Sequence, residues 1–417
     1  MGNSKGLPEN IQVSKNHMMF LFRDEMYLYD RLNRYSHILL EPIEKSVVQA
    51  VNTHHNLSLV WKMLCEQFEL AEMDIEAHNV FTDYVTKLWH TGALEEGTTS
   101  FQIYGEEGKA YPAFMSLELT NKCNLKCTHC YKEADSVNNS FINKELALKI
   151  LSQIAGKVYC LDLTGGEATL HPDFQEIVAA ATGVGRLSLL TNGSRLAQIP
   201  ETTLTKFYEI QVSVYGDSND VYKQFTKSGL FEEVCAGINR IVSLGIRCTV
   251  AMQLRPDIVE NLENYIECIA RLGVKRIRFG MSQKIGRNAK GESLWDTSHE
   301  CFDKCIQKLA SIRKDFPEIV FSELSWEDEP STYLENKVPS KIVCDAGRQN
   351  IAVSERGRVR PCLYMPQQYF EKLSWEDYYN FIEKGEIYNF SAFIPECIAG
   401  LQKEGRSIYS ICSHGFE

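Results

Sequence analysis

From residue 113 the chain alternates short apolar runs with longer amphipathic stretches, and this alternation limits the fold more than any other feature. Runs at 114–119, 158–163, 186–190, 210–215, 246–253 and 275–280 have the composition and length of strands. Between them lie helical stretches such as 144–155, 219–244 and 260–272. Connections of that length join parallel strands through right-handed crossovers. Six such units predict an α/β fold, a partial (β/α)6 barrel over residues 113–325, rather than a closed barrel of eight. Beyond that point the alternation fails, which sets residues 326–417 apart as a C-terminal domain.

The residues ahead of the barrel follow another plan. Met18–Phe22 and Met26–Tyr29 read as strands around a polar Arg23-Asp24-Glu25 turn, and His37–Leu40 as a further strand. Pro42 opens a helix whose apolar face is Ile43, Val47, Val48 and Val51. Ser58 is expected to cap a second helix carrying Val60, Leu64 and Phe68. A third carries Ala77, Phe81, Tyr84, Val85 and Leu88 and stops at Gly92. Strands followed by three helices predict a winged-helix-like domain at 1–96. Gly97, Gly105, Gly108 and Thr98-Thr99-Ser100 predict a linker over 97–112.

No apolar run reaches the roughly 18 residues that span a bilayer, and Met1-Gly-Asn-Ser-Lys-Gly lacks the apolar core of a secretory signal. Neither a membrane partner nor export is expected, and the cytoplasm is the expected address. The net charge of −11 argues against nucleic acid as the main partner. Residues 1–110 hold nine Lys and Arg against sixteen Asp and Glu, the wrong balance for a duplex-binding winged helix.

Fourteen cysteines are many for a chain with this address; in a reducing compartment clustered thiols point to metal or catalysis. Cys65, Cys160, Cys235, Cys248 and Cys268 lie singly in apolar stretches and read as core. Cys301 and Cys305 share a helix face beside Phe302, Ile306 and Leu309, where packing is the expected role. Cys123, Cys127 and Cys130, a C-x3-C-x2-C set, directly follow the first barrel strand. That is the end where β/α barrels keep their chemistry. Zinc completed by His129 or a distant residue is one reading. The other is an iron–sulfur cubane, which takes four ligands; three leave one iron open to substrate.

This set, at this place in a partial β/α barrel, resembles the radical S-adenosylmethionine (SAM) superfamily. The resemblance implies that Cys123, Cys127 and Cys130 hold a catalytic [4Fe–4S] cluster whose open iron chelates SAM, with Tyr131 beside it. Further stretches match in order at strand ends. Gly165-Gly166-Glu167 resembles the family's GGE turn, which binds the methionine amino group. Thr191-Asn192-Gly193 is similar to its T-N-G turn. Gln211-Val-Ser213-Val-Tyr215-Gly216 resembles the stretch whose Ser contacts the ribose. Arg278-Phe-Gly and Ile285-Gly286-Arg287 are similar to the region that closes over the cofactor. The resemblance covers residues 112–325 and implies a flavodoxin- or ferredoxin-type electron donor.

In the tail, Cys344 is followed by twelve residues and then Gly357-Arg-Val-Arg-Pro-Cys362. This resembles the C-x9–15-G-x4-C opening of the SPASM and Twitch auxiliary-cluster domains, and Ile351–Val359 reads as a hairpin. The later SPASM cysteines are absent, and only Cys397 and Cys412 follow. The resemblance implies one auxiliary iron–sulfur cluster, [4Fe–4S] or [2Fe–2S], on Cys344, Cys362, Cys397 and Cys412. The N-terminal layout resembles the RiPP recognition element, which adds a leader peptide as a strand to a sheet edge; an edge such as 18–29 is expected here. Together these features resemble sactipeptide maturases, which use a 5′-deoxyadenosyl radical to form Cys thioethers in a ribosomal precursor peptide. Carbon–carbon crosslinking is the alternative within the class, and a zinc-binding DNA regulator the alternative outside it.

Overall fold

The computed structural model describes residues 6–31, 37–280, 286–290, 299–322, 346–363, 365 and 370–390. The chain divides into two units, the first running to Tyr111 and taking in Ile382–Glu386, the second beginning at Pro112. The strands of the first are β1 (Ile11–Val13), β2 (His17–Arg23), β3 (Glu25–Asp30), β4 (His37–Leu40), β5 (Leu94–Glu96) and β6 (Ile103–Glu107). Four make a sheet in the order β4-β3-β2-β6, and β1 pairs with β5. β2 and β3 are an antiparallel hairpin with Phe22 opposite Glu25. The turn is therefore Arg23-Asp24, with Arg23 at φ 58°, and Glu25 already belongs to the strand.

Three helices cover this sheet: α1 (Pro42–His54), α2 (Leu57–Gln67) and α3 (Ile75–His90). Pro42 occupies the first helical position, and Glu41 and Glu44 form a capping box. Val47, Val48 and Val51 of α1, Val60 and Leu64 of α2 and Phe81, Val85 and Leu88 of α3 share one core with Met19, Leu21, Met26 and Leu28. Three expectations change. Ile43 and Phe68 are exposed. The cap of α2 is Asn56, whose side chain accepts from the Ser58 and Leu59 amides. Residues 97–112 are not simply a linker, because β6 pairs in parallel with β2, Leu21 opposite Gly105. All but one residue of β6 are half-buried, without alternation, so the strand has no period to read. Gly105 resembles a breaker in sequence. In place it has φ +79°, and a Cβ there would overlap the Leu21 carbonyl.

In the second unit the strands are β7 (Phe114–Glu118), β8 (Cys160–Thr164), β9 (Arg186–Thr191), β10 (Glu209–Ser213), β11 (Arg247–Gln253), β12 (Arg276–Gly280), β13 (Val320–Ser322), β14 (Asn350–Val353) and β15 (Val359–Arg360). They form one sheet ordered β13-β12-β11-β10-β9-β8-β7-β14-β15. Each of the six strands read from sequence is present, and β7 through β13 pair in parallel with their neighbours. Among the described residues the sheet is open, as expected of a partial barrel. Ile210, Val212, Ile277 and Phe279 are buried; the alternate residues Gln211, Ser213 and Arg278 therefore share the opposite face. The helical stretch 219–244 is two helices, Asn219–Thr226 and Phe231–Ser243, separated where Lys227 turns left-handed. The tail does not stand wholly apart. Its hairpin β14–β15 joins the barrel sheet, β14 lying parallel to β7 with Ala352 opposite Ser116. Among the described residues no helix is long and apolar enough to cross a membrane.

The β6 pairing is directly testable. Gly105→Ala places a methyl against the Leu21 carbonyl at a positive φ that L-residues avoid. The expected outcome in hydrogen–deuterium exchange is loss of protection in 103–107, with the barrel strands unchanged. Unchanged protection in 103–107 would return this stretch to a linker.

Candidate functional site

The cysteine loop leaves the C-terminal end of β7 and is tied down along its length. The Cys123 amide donates to the Asp135 carbonyl at 2.9 Å, Lys126 to Thr226 at 3.0 Å and Thr128 to Phe225 at 2.9 Å. Cys123 is buried, and Cys127 and Cys130 are half-buried. From the far side of the barrel Arg287 clamps the loop. Its amide donates to the Cys130 carbonyl at 3.1 Å, its Nε to the Cys127 carbonyl at 2.8 Å and its Nη2 to the Ala134 carbonyl at 2.6 Å. Sequence pointed to Arg287 as a residue closing over the cofactor; the structure places its guanidinium on the loop backbone.

The Gly165-Gly166-Glu167 turn follows β8 and presses directly on this loop. Gly166 donates to the Thr120 carbonyl at 2.6 Å and Glu167 to the Lys122 carbonyl at 2.8 Å. A Cβ on Gly165, at φ +140°, would overlap the Thr120 carbonyl, and one on Gly166 the Lys122 carbonyl. The two glycines therefore serve a backbone-to-backbone approach, where sequence suggested approach to a ligand. The Glu167 side chain is fully buried. Its Oε1 accepts from the Thr169 amide at 3.2 Å, Thr169 Oγ1 at 2.6 Å and Thr191 Oγ1 at 2.7 Å. Its Oε2 accepts from the Asn192 amide at 2.7 Å. Asn192 Nδ2 then donates to Asn124 Oδ1 at 2.8 Å and reaches Cys123 Sγ at 3.8 Å. Thus the first three motifs meet in one hydrogen-bonded unit across β7, β8 and β9. Asn124 and Ser194, which complete it (2.9 Å), escaped notice because the bond that joins them spans 70 positions.

Ser213 ends β10. The Tyr215 ring packs edge-on against His129 at 4.4 Å. Arg255, fully buried, donates to the Tyr215 carbonyl at 3.0 Å and grips Asp257 with two nitrogens; nothing in the local sequence marks it. Arg278 donates to Gln211 Oε1 at 3.0 Å. Tyr131 donates to Glu118 Oε1 at 3.3 Å. Of the four tail cysteines only Cys362 is described, and it is half-buried. Cys344, Cys397 and Cys412 lie outside the described residues, as do Ile285 and the side chain of Cys301. Cys65, Cys160, Cys248 and Cys305 are buried, while Cys235 and Cys268 are half-buried.

Electrostatics show what this donor set can hold. Burial, with the Glu167 charge behind it, pushes the Cys123 thiol up to about 12. Cys127 is raised too, by burial and then by Cys130 and Cys123. Such sulfurs become thiolates together only against positive charge, which iron supplies. Burial, then Arg255 and Arg287, lowers His129 to about 3, so the ring beside the thiols is neutral. A single zinc would need its ligands converged at about 2.3 Å from sulfur. Among the described residues no three His, Cys, Asp or Glu side chains are grouped as ligands of one ion. A cubane instead spreads its ligands over separate irons, and three thiolates on one loop fit it.

The comparisons with known proteins agree with this geometry. Residues 117–269 match the model of the Radical SAM superfamily. The chain is 23% identical over 316 residues to the sporulation killing factor maturation protein SkfB of Bacillus subtilis, covering 74% of this chain and 73% of that one. It is 25% identical over 325 residues to the antilisterial bacteriocin subtilosin biosynthesis protein AlbA of the same organism, covering 74% and 68%. In fold it is similar to SuiB of Streptococcus suis, with TM-score 0.58 and 13% identity over 85% of this chain and 83% of that one. SuiB has also been solved with a precursor peptide, SuiA. Residues 117–269 are a radical SAM domain, its cofactors are a [4Fe–4S] cluster and SAM, and the protein is an enzyme.

Proposed function

We propose that the protein is a radical SAM maturase that installs a crosslink, of the Cys thioether type, in a ribosomally made precursor peptide. The observation that carries this reading is the single hydrogen-bonded unit joining Cys123, Asn192 and Glu167, within a chain similar over 74% of its length to a killing-factor maturation protein and a bacteriocin biosynthesis protein. Cys123, Cys127 and Cys130 hold the catalytic cluster. When bound, the cluster and SAM supply one electron and a carbon radical able to take a hydrogen atom from the substrate. The chain's own residues bind, orient and exclude water. Oε1 of Glu167 accepts three hydrogen bonds and Oε2 one, so Oε2 keeps an acceptor site for an N–H of the methionine amino group. Thr191 and Asn192 fix its direction. Ser213 faces the ribose, and Tyr131 flanks the cofactor. Gly165, Gly166 and Arg287 act one step back, by holding the loop. The neutral His129 ring and Tyr215 wall the thiols from water.

Cys362, with Cys344, Cys397 and Cys412, is proposed to hold the auxiliary cluster, and a flavodoxin- or ferredoxin-type protein to supply electrons in the cytoplasm. The leader peptide is proposed to dock on the N-terminal unit by strand addition. The edge expected at 18–29 needs correction: β2 lies between β3 and β6, and β3 between β4 and β2. Among the described residues the edges are β4 and β6. β4 is the better candidate, because Leu39 on it and Ile43 just after it are exposed apolar residues.

Three outcomes are expected. Replacing Cys123, Cys127 and Cys130 by Ala abolishes 5′-deoxyadenosine formation and removes one cluster's worth of iron; formation at the normal rate would refute the ligand assignment. Glu167→Gln removes the charge of the carboxylate that accepts from the methionine amino group, a hydrogen bond worth about 1.5–3 kcal/mol. SAM affinity by calorimetry should then fall by about one to two decades while triad iron is retained; unchanged affinity would leave Glu167 as a turn residue only. Leu39→Glu, at a half-exposed position, should leave the melting temperature unchanged and weaken precursor binding by about tenfold or more in fluorescence anisotropy. Equal binding would move the leader off the β4 edge.

A further inference from the structure

Beside the cysteine loop lies a second cluster of charge that the mechanism above does not use. Glu118, at the end of β7, is fully buried. Its Oε1 meets Arg360 Nη2 of β15 at 2.6 Å, and its Oε2 meets Lys132 Nζ at 2.7 Å. Lys132 also meets Glu355 Oε2, in the turn of the tail hairpin, at 3.0 Å. The side chains of these four residues are 0–4% exposed. Two cations and two anions cancel, so the quartet adds no net charge. What it does is join three segments far apart in sequence: the strand that launches the cysteine loop, the residue two positions past Cys130, and the hairpin that ends at Cys362.

Burying four charges is costly, and apolar side chains of similar volume pack as well or better. Ordinary stability therefore does not account for the arrangement. Its geometry does account for position. Arg360 and Lys132 approach the two oxygens of one carboxylate from different segments, so the end of the cysteine loop cannot move without breaking a buried ion pair. Burial alone would raise the Glu118 pKa, yet Arg360 and Lys132 bring it below the ordinary range, so the carboxylate stays charged.

We propose that Arg360, Glu118 and Lys132 are positioning residues that lock the radical-cluster loop to the tail hairpin, so that seating of the hairpin sets the geometry of the loop. This rests on the reading of Cys123, Cys127 and Cys130 as cluster ligands. The fit of the tail to the barrel is thereby felt at the thiols. A tail altered by its own cluster or by a bound peptide would then change how the open iron meets SAM.

The test uses the full-length holoenzyme and Arg360→Gln, which leaves Glu118 with one cation. Hydrogen–deuterium exchange, which needs no cluster, is expected to be about tenfold or more faster at the loop amides 121–135. The electron paramagnetic resonance change that SAM induces in the reduced triad cluster should shrink or shift, and Arg360→Lys should restore it in part. Should Arg360→Gln fail to fold, Glu118→Gln with Arg360→Gln removes one opposed pair, leaves Lys132 and Glu355 intact, and is read in the same two ways. Faster exchange confined to 350–360, with a wild-type SAM-induced signal, would overturn the proposal and leave the quartet as packing. A wild-type protein with no SAM-sensitive signal would instead sink the ligand assignment, and the exchange data would still report whether the loop is locked.

Discussion

The site depends on one buried carboxylate. Glu167 has no access to solvent, and every hydrogen bond it accepts comes from residues at the ends of β8 and β9. An unpaired carboxylate in such a place would cost several kcal/mol; charge-assisted bonds at 2.6–2.7 Å offset that. The same residue's backbone amide holds the Lys122 carbonyl. One side chain and one peptide group therefore fix where the cysteine loop stands relative to the neighbouring strand ends. The absence of side chains at Gly165 and Gly166 is the steric condition for this contact.

Around that hub the protein solves a charge problem. Burial raises the Cys123 and Cys127 thiols, and the neighbouring sulfurs of the loop add to it. The chain answers it by placing the Arg287 guanidinium on the loop's carbonyls and by keeping His129 neutral. Arg287 thereby satisfies the Cys127, Cys130 and Ala134 carbonyls.

Much of this was legible in the sequence, for definite reasons. Strands such as Ile210–Val212 and Ile277–Phe279 announce themselves because one face packs on helices and the other does not. The cysteine triad and the GGE turn are legible because spacing and steric demand are local. What was not legible is either weakly patterned or long-range. β6 is short, half-buried and interrupted by a glycine. Asn56 outcompeted Ser58 as a cap because its side chain precedes the first helical turn. The partners of Glu118 lie at positions 132 and 360, and no local pattern connects them. Arg287 looked like a ligand-closing residue because it follows the sixth strand, but its guanidinium found backbone carbonyls first. The tail cysteines other than Cys362 lie outside the described residues.

The most direct measurement is electron–nuclear double resonance on the anaerobically reconstituted, one-electron-reduced protein mixed with SAM labelled with nitrogen-15 at its amino group. A site-differentiated cluster on Cys123, Cys127 and Cys130 gives a hyperfine coupling from that nitrogen bound at iron, and the coupling disappears when the three cysteines are replaced. A colourless protein, or a cluster whose spectrum is indifferent to SAM, would contradict the assignment of these thiols to a cluster with an open iron.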